Sequence, residues 1–166
     1  NMGSHGPPYL TMREARGNNS LNGLDENVDN LTLSHMEMIT RNMRCGTWTD
    51  KGVRRRNEDC TEVDRTLDAI IIADGMGGHP AGDEASKAAV AEVLRVLRTS
   101  DAPARFLREA VLMAHQALAS EGDNRGSTIT ALLVVGKELL VAHVGDCRLH
   151  VDGRLITEDH GSGEML

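Results

Sequence analysis

The amino-acid sequence predicts an α+β domain in which two helices cover a mostly antiparallel sheet. Strand-like segments lie on both sides of a central region, and that region carries two helical apolar repeats. An Asp152-Gly153 pair between two alternating runs is typical of a two-residue hairpin. Because hairpins join antiparallel neighbours, we expect the later strands to form an antiparallel sheet that the helices cover.

The first strands are predicted between residues 44 and 74. RCGTWTD, which begins at Arg44, alternates in the manner of a strand, and CTEVD, which begins at Cys60, is a second candidate. LDAIIIAD is a short continuous apolar run that ends at Asp74. Such a run is typical of a strand that is buried on both faces.

Two helices are predicted next. The first covers GDEASKAAVAEVLRVLRTS, where Asp83 and Glu84 lie in a first turn that the helix dipole makes favourable for acids. Its apolar stripe comprises Ala89, Val90, Val93, Leu94 and Leu97. The second has Asp101 as its candidate N-cap and Pro103 in its first turn. Its apolar stripe comprises Phe106, Leu107, Ala110, Val111, Ala114 and Leu118. STITALLVVG and ELLVAHVGD then predict a strand pair joined by a Gly-Lys turn.

Composition limits the classes of function open to the chain. Its 166 residues suffice for one domain, and a net charge of −7 argues against general nucleic-acid binding despite the short cluster Arg54–Arg56. No apolar run approaches the length of a membrane span, so no membrane partner is expected. Three cysteines without CxxC spacing suggest neither a disulfide framework nor a zinc site. We therefore expect a soluble protein in the reducing cytoplasm.

The chain divides into three segments by composition. Residues 1–43 begin with the tag-like NMGSHGPPYL and continue rich in Asn, Gly and Ser, so we expect a flexible leader. Residues 44–160 carry the ordered pattern of strands and helices. Residues 161–166 resemble a linker.

Carboxylates occur where the predicted strands begin or end. Glu58 and Asp59 lie in GVRRRNEDC, before a strand. Asp74 in ADGMGGH and Asp146 in AHVGDCRLHV each end an apolar run. Gathered carboxylates repel one another unless a cation lies among them, and oxygen ligands favour Mg²⁺ or Mn²⁺. Gly75 fits this hypothesis because a residue without a side chain lets its carbonyl group and water approach the ion.

Each acidic stretch also has a structural interpretation. Asp74-Gly75 alone is more often a turn than a ligand pair. Glu58 and Asp59 alone would be a solvated strand end, and Asp146 would begin a tight turn. The cysteines are more often small core residues than nucleophiles.

Other phosphate-handling motifs are excluded by single positions. Pro80 breaks the glycine pattern of a dinucleotide-binding loop, and Ile72 replaces the second aspartate of a haloacid-type phosphatase. Neither a P-loop nor a GxSxG nucleophile elbow occurs. Chemistry based on a metal ion and water remains.

Five blocks of the sequence, taken in order, resemble the PP2C-type metal-dependent Ser/Thr protein phosphatases, particularly bacterial members. The blocks are RRRNED, DGMGGHPAGDEAS, GSTITALLVV, AHVGDCRLHV and LITEDH, and the resemblance covers about Arg44 to His160. It implies a sandwich of two antiparallel sheets flanked by helices. It also implies a role in signalling through hydrolysis of phosphoserine and phosphothreonine proteins at a centre of two Mn²⁺ or Mg²⁺ ions.

The resemblance assigns a role to each candidate residue. Asp74 is similar to the carboxylate that bridges both metals, while the Gly75 carbonyl and, through water, Glu58 hold one of them. Asp146 resembles the ligand of a third, weaker metal.

Two further residues resemble the catalytic groups of the family. Arg54 resembles the arginine that binds the substrate phosphate, and Asp59 resembles an acceptor that orders metal-bound water. The implied mechanism is direct attack on phosphorus by a metal-bridged hydroxide, without a phosphoenzyme.

The sequence departs from the family pattern at two points. Met76 stands where animal relatives have a histidine after Asp-Gly, and His79 is not assigned that role. Family domains also continue past the TEDH block, where two further aspartates complete a metal site, so we expect residues 44–160 to be a partial domain. The chain is then a fragment or altered version, a protein that pairs with itself or another chain, or a degenerate member. The alternative function is a non-catalytic binding or self-associating module.

Overall fold

The order of strands and helices follows the sequence expectation. We describe a computed structural model, and the structure describes residues 11–16, 36–39, 44–76, 80–120 and 126–160. The first five strands are β1 (Thr11–Arg16), β2 (Met36–Ile39), β3 (Arg44–Thr47), β4 (Asp59–Asp64) and β5 (Ala69–Met76). The helices are α1 (Pro80–Thr99) and α2 (Pro103–Ser120). The later strands are β6 (Gly126–Ser127), β7 (Ile129–Val135), β8 (Glu138–Val144), β9 (His150–Val151) and β10 (Arg154–Leu155).

The largest sheet is antiparallel throughout. Its order is β1-β8-β7-β5-β4, and the short strand β6 pairs with the end of β5. The predicted hairpin between β9 and β10 is confirmed, with positive φ angles of 49° at Asp152 and 73° at Gly153. These are the angles that a type I′ turn requires at its two central residues. The predicted α+β class with antiparallel pairing is therefore confirmed.

The helices pack on one face of this sheet, and no helix among the described residues covers the other face of β5. Ala69, Ile71 and Ala73 are fully buried in a core shared with α1 and α2, whereas Ile72 is 39% exposed. The prediction that this strand is buried on both faces is therefore wrong. Alternation places Asp74 on the same face as Ile72, away from the helices.

The prediction that Phe106 belongs to the buried stripe of α2 is also wrong. Phe106 is 41% exposed, because it lies about 100° around the helix from Leu107 and outside the arc of the buried residues. The buried residues of α2 are Leu107, Ala110, Val111, Ala114 and Leu118, as predicted.

Two strands lie within the first 43 residues. β1 pairs with β8 at one edge of the large sheet, and β2 pairs with β3 in a separate two-stranded sheet. The predicted boundaries after residues 43 and 160 remain predictions, and the tail at 161–166 lies outside the described residues. Neither helix is long and apolar enough to cross a membrane within the part of the chain that the structure describes.

Candidate metal and phosphate site

The site begins with two aspartates that oppose each other across neighbouring strands. Asp59, the first residue of β4, is paired in register with Asp74 of β5. Asp74 follows the buried Ala73, so strand alternation turns its side chain to the face opposite the two helices. Asp59 is its register partner and therefore lies on the same face. Burial, repulsion by Asp59 and Asp146, and a hydrogen bond with Asp59 raise the pKa of Asp74, although Arg54 opposes the shift.

A raised pKa at this position has a chemical meaning. The fold gathers negative charge around Asp74 without placing enough positive charge beside it. A divalent cation between the carboxylates would remove the repulsion, and the oxygen ligands present suit a hard ion. The chemistry of this donor set therefore fits Mg²⁺ or Mn²⁺.

Glu58 and Arg54 lie next to the aspartate pair. The Glu58 side chain is only 6% exposed, whereas the Arg54 side chain is 65% exposed, and Nη1 of Arg54 lies 3.9 Å from Oε2 of Glu58. A contact of this length with an exposed arginine is weak. The guanidinium group therefore remains accessible to a phosphate group while it stays beside the carboxylates.

A cleft of about 340 Å³ connects these groups. Its lining consists of Asp50, Lys51, Gly52, Val53, Arg54, Arg56, Asn57, Glu58, Asp59 and Asp74. The structure therefore brings four of the six predicted site residues to one cavity. The other two, Gly75 and Asp146, are outside this lining.

Those two residues lie close to the cleft without lining it. Asp146 is exposed at the end of β8, yet it is near enough to raise the pKa of Asp74. Gly75 is buried, and a Cβ atom built on it would lie 1.9 Å from the carbonyl oxygen of Gly82. The close approach of α1 to β5 therefore explains this glycine sterically, independently of any role for its carbonyl group.

The Gly-Ser-Thr motif supplies a support that the sequence did not assign. The Asp74 N–H donates to Oγ1 of Thr128 at 2.9 Å, and the Asp74 carbonyl accepts from the Thr128 N–H at 2.9 Å. The Ser127 hydroxyl also donates to that carbonyl at 3.2 Å. Asp74 is thus held at its backbone by two residues 53 and 54 positions away. The motif was visible in the sequence, but only the structure shows that it contacts β5.

Thr49 and Asn57 are further site residues that the sequence did not reveal. The Thr49 hydroxyl donates to Oδ2 of Asp59 at 3.0 Å, and Nδ2 of Asn57 donates to Oγ1 of Thr49 at 2.7 Å. The Asp59 N–H donates to Oδ1 of Asn57 at 3.1 Å. This network orients the Asp59 carboxylate, and no sequence motif links Thr49 to it.

Cys147 lies near the acids but is a poor nucleophile. Its Sγ atom is 3.1 Å from Oγ1 of Thr128. Burial, followed by the carboxylates of Asp74, Asp146 and Asp59, raises the pKa of the Cys147 thiol, although the Thr128 contact opposes this. A thiol that remains protonated does not attack phosphorus efficiently.

The described side chains do not by themselves complete a metal shell. Within residues 44–76, 80–120 and 126–160, no group of three His, Cys, Asp or Glu side chains is arranged to hold a metal ion. Asp74, Asp59 and Glu58 supply oxygen atoms on one side, and further ligands such as water or backbone carbonyl groups are needed.

Comparison with known proteins decides the family. The family model for protein phosphatase 2C matches residues 53–157. This chain belongs to the protein phosphatase 2C family. All six predicted site residues of this PP2C member lie within the matched range, although the match assigns no role to any one of them.

Bacterial Ser/Thr phosphatases are the relatives with which this PP2C chain aligns. The Mycobacterium tuberculosis H37Rv phosphatase PstP is 33% identical over 138 residues, which are 75% of this chain and 26% of PstP. The phosphatase Stp of Listeria monocytogenes EGD-e is 33% identical over 132 residues, 68% of this chain and 52% of Stp. This chain therefore spans about a quarter to a half of the length of these curated relatives.

A solved PP2C structure supports the fold. The crystal structure of the PstP catalytic domain in complex with two manganese ions matches with a TM-score of 0.55 and 27% identity. The match covers 91% of this chain and 57% of that domain. The two Mn²⁺ ions are a property of that crystal, and they agree with the hard-ion chemistry of the donor set described above.

Proposed function

We propose that this chain belongs to a metal-dependent protein Ser/Thr phosphatase and contributes its phosphate-binding arginine and part of its metal site. The observation that carries the proposal is the cleft in which the opposed pair Asp59 and Asp74 lies beside the accessible guanidinium group of Arg54. Such an arrangement suits a phosphate ester held against a cation. The substrate class is phosphoserine and phosphothreonine in proteins, as in the named functions of the relatives.

Arg54 would bind the phosphate group of the substrate. Its forked donors match two phosphate oxygens, and its side chain reaches the cleft without a strong competing ion pair. Bound there, the guanidinium group positions phosphorus next to the carboxylate pair and offsets negative charge on the phosphoryl oxygens.

Asp74, Glu58, Asp146 and the Gly75 carbonyl group are the candidates for holding Mn²⁺ or Mg²⁺. When bound, such ions lower the pKa of water and stabilise the charge that develops during phosphoryl transfer. Asp59, whose Oδ2 accepts a hydrogen bond from Thr49, is placed to accept a proton from water. Since the Cys147 thiol stays protonated, the residues favour direct displacement by water over a phosphoenzyme.

We also propose that the protein acts in the cytoplasm as part of a signalling system. The support for this location is that Cys45, Cys60 and Cys147 are all free. Fractionation of cells that produce the protein, with detection of the chain by antibody, would test the location.

The test of function uses the 166-residue chain and a phosphothreonine peptide. We expect phosphate release that requires Mn²⁺ and disappears in the Asp74→Asn variant. Titration calorimetry with Mn²⁺ alone gives a readout that does not need turnover, and the same variant should lose most of the heat of binding. Activity or Mn²⁺ binding that survives in Asp74→Asn would show that the metal assignment is wrong.

A second candidate is a non-catalytic module that binds a partner or another copy of itself. It is favoured by one observation, namely that no three described side chains complete a metal shell. This candidate predicts no turnover with Mn²⁺ or Mg²⁺ and a dimer whose fraction rises with protein concentration in sedimentation experiments. Turnover by a monomer would exclude it.

A further inference from the structure

The residues that line the cleft carry charges of both signs. Glu58, Asp59 and Asp74 are acidic. The loop before β4 also contributes Lys51 and Arg56, which we call the basic rim. The metal and phosphate roles proposed above do not use this rim.

The loop that carries the basic rim is held by several hydrogen bonds. The Gly52 N–H donates to Oδ1 of Asp50 at 2.6 Å, and the Arg54 N–H donates to the Lys51 carbonyl at 3.0 Å. The turn passes through Gly52 at a φ angle of +56°, where glycine is favoured. The Asn57–Thr49 hydrogen bond of 2.7 Å closes the base of the loop. The backbone of the loop is therefore held at the cleft before any ligand binds.

The two rim cations have no ion-pair partner within the described part of the chain. Lys51 and Arg56 are exposed, and neither forms an ion pair with a described carboxylate. Asp50 also lines the cleft, where its Oδ1 atom accepts the Gly52 N–H, and it forms no ion pair with Lys51 or Arg56. Two cations are thus available, two and three residues along the sequence from the arginine assigned to phosphate.

We propose that the basic rim is a second anion subsite, which selects substrates with acidic side chains next to the phosphorylated residue. The inference rests on the proposed function, because Arg54 must hold the phosphate for the flanking residues to reach Lys51 and Arg56. The fully exposed Val53 lies between these positions and offers an apolar contact to the peptide. Each exposed charge pair contributes about two- to fivefold in affinity.

Two peptides test this subsite. Both carry a non-hydrolysable phosphonate analogue of phosphothreonine, flanked by Glu in one peptide and by Gln in the other. Fluorescence anisotropy with the full chain and Mn²⁺ should show about four- to twenty-fivefold tighter binding of the Glu peptide if both rim cations contribute. The preference should fall as salt rises from about 0.05 to about 0.5 M, because salt screens exposed charges. The overall negative charge of the chain favours the opposite order, so a preference for Glu reports the local rim.

Variants separate this inference from the proposed function. The double variant Lys51→Gln, Arg56→Gln should bring the affinity ratio of the two peptides to about one. Arg108→Gln is the control: it removes one positive charge from α2, outside the cleft lining, and should leave the affinity ratio unchanged. Equal affinities for the two peptides, or a ratio that the double variant does not change, would contradict the anion subsite. The proposed function would still stand if binding of both peptides depends on Arg54. If neither peptide binds, or binding survives Arg54→Gln, both proposals fail.

Discussion

Strand β4 begins at Asp59 and ends at Asp64, and these two aspartates lie on opposite faces of the sheet. Asp64, only 5% exposed, faces α1, where its Oδ2 atom accepts from Nε of Arg98 at 2.6 Å. Its Oδ1 atom accepts from the N–H groups of Thr66 at 2.8 Å and Leu67 at 3.0 Å. Burial alone would raise the pKa of Asp64, but these hydrogen bonds outweigh burial and lower it.

The other end of the strand has no such arginine pair among the described residues. Asp59 accepts the Thr49 hydroxyl but faces Asp74, and the pKa of Asp74 is raised by burial and by neighbouring carboxylates. The comparison distinguishes two kinds of buried acid. An acid that is paired with an arginine and with backbone N–H groups stabilises the fold, whereas acids that oppose each other are candidates for binding a cation.

The largest expected effect on stability comes from Gly75→Ala, next to the Asp59–Asp74 pair. The new Cβ atom would lie 1.9 Å from the Gly82 carbonyl oxygen, so α1 must move away from β5. We expect the free energy of unfolding, measured with urea, to fall by about 3 kcal/mol or more.

Gly52→Ala is the matched control for this steric effect. It has open space around the new methyl group and only the strain of a φ angle of +56°. That strain costs about 1 kcal/mol. Equal losses of unfolding free energy in the two variants would mean that the contact with Gly82 does not restrict the side chain at position 75.

Asp64→Ala is expected to have the second largest effect. It leaves Arg98 and two backbone N–H groups without their acceptor, which costs about 2–3 kcal/mol of unfolding free energy. The stabilisation by Asp64 is present above its unfolded pKa of about 3.9 and is lost as pH falls through the lowered pKa of the folded state. Urea titrations between about pH 2 and 7 should therefore show the variant and the wild type converging in acid.

Asp159→Asn provides a control for Asp64→Ala, because Asp159 also pairs with an arginine but is exposed. We expect it to change stability much less. A loss as large as that of Asp64→Ala would remove the distinction between the buried and the exposed pair.

Thr128→Val should have an intermediate effect. It removes the acceptor of the Asp74 N–H at the functional end, and an unpaired N–H group costs about 1–3 kcal/mol. Because the backbone of Asp74 loses this support, Mn²⁺ binding measured by calorimetry should also weaken. Thr99→Val, which removes an exposed hydroxyl at the end of α1, should leave Mn²⁺ binding unchanged. Weakening in both variants would argue against a specific role for Thr128.

Asp74→Asn should have the smallest effect on stability, and the opposite sign from Asp64→Ala. Without metal it relieves repulsion and should raise the unfolding free energy by about 1 kcal/mol or less. Stability associated with the raised pKa of Asp74 is fully present below about pH 3.9 and is lost as pH rises through the folded-state pKa. With Mn²⁺ present, the wild type should instead be the more stable chain. If the variant is less stable than the wild type without metal, Asp74 stabilises the fold as Asp64 does.

The sequence predicted the helices and strands well and singled out the acids, because both leave local patterns. The helical repeats and the Asp152-Gly153 turn depend on neighbouring residues, and the acids stand out against apolar runs. The contacts that position Asp74 could not be predicted in this way. Thr128 reaches it across 54 residues, and only strand register places the two together.

The error at β5 has a similar origin. A continuous apolar run predicts burial on both faces, whereas exposure of Ile72 depends on which layers cover the sheet. Likewise the sequence explains Gly75 by access of its carbonyl group to a metal ion. The close contact with Gly82 is a tertiary contact that no local pattern encodes.

Helix α1 touches both ends of β4. Gly82, near its first turn, lies against Gly75 and Glu58, and Arg98, in its last turn, holds Asp64. Gly82 and Arg98 are about 24 Å apart along the helix, close to the roughly 20 Å from Glu58 to Asp64 along an extended strand. The helix thus contacts both ends of the strand, so the end at Asp59 should not open while the end at Asp64 stays closed. Amide protons of α1 and β4 should accordingly exchange with solvent in a single cooperative opening.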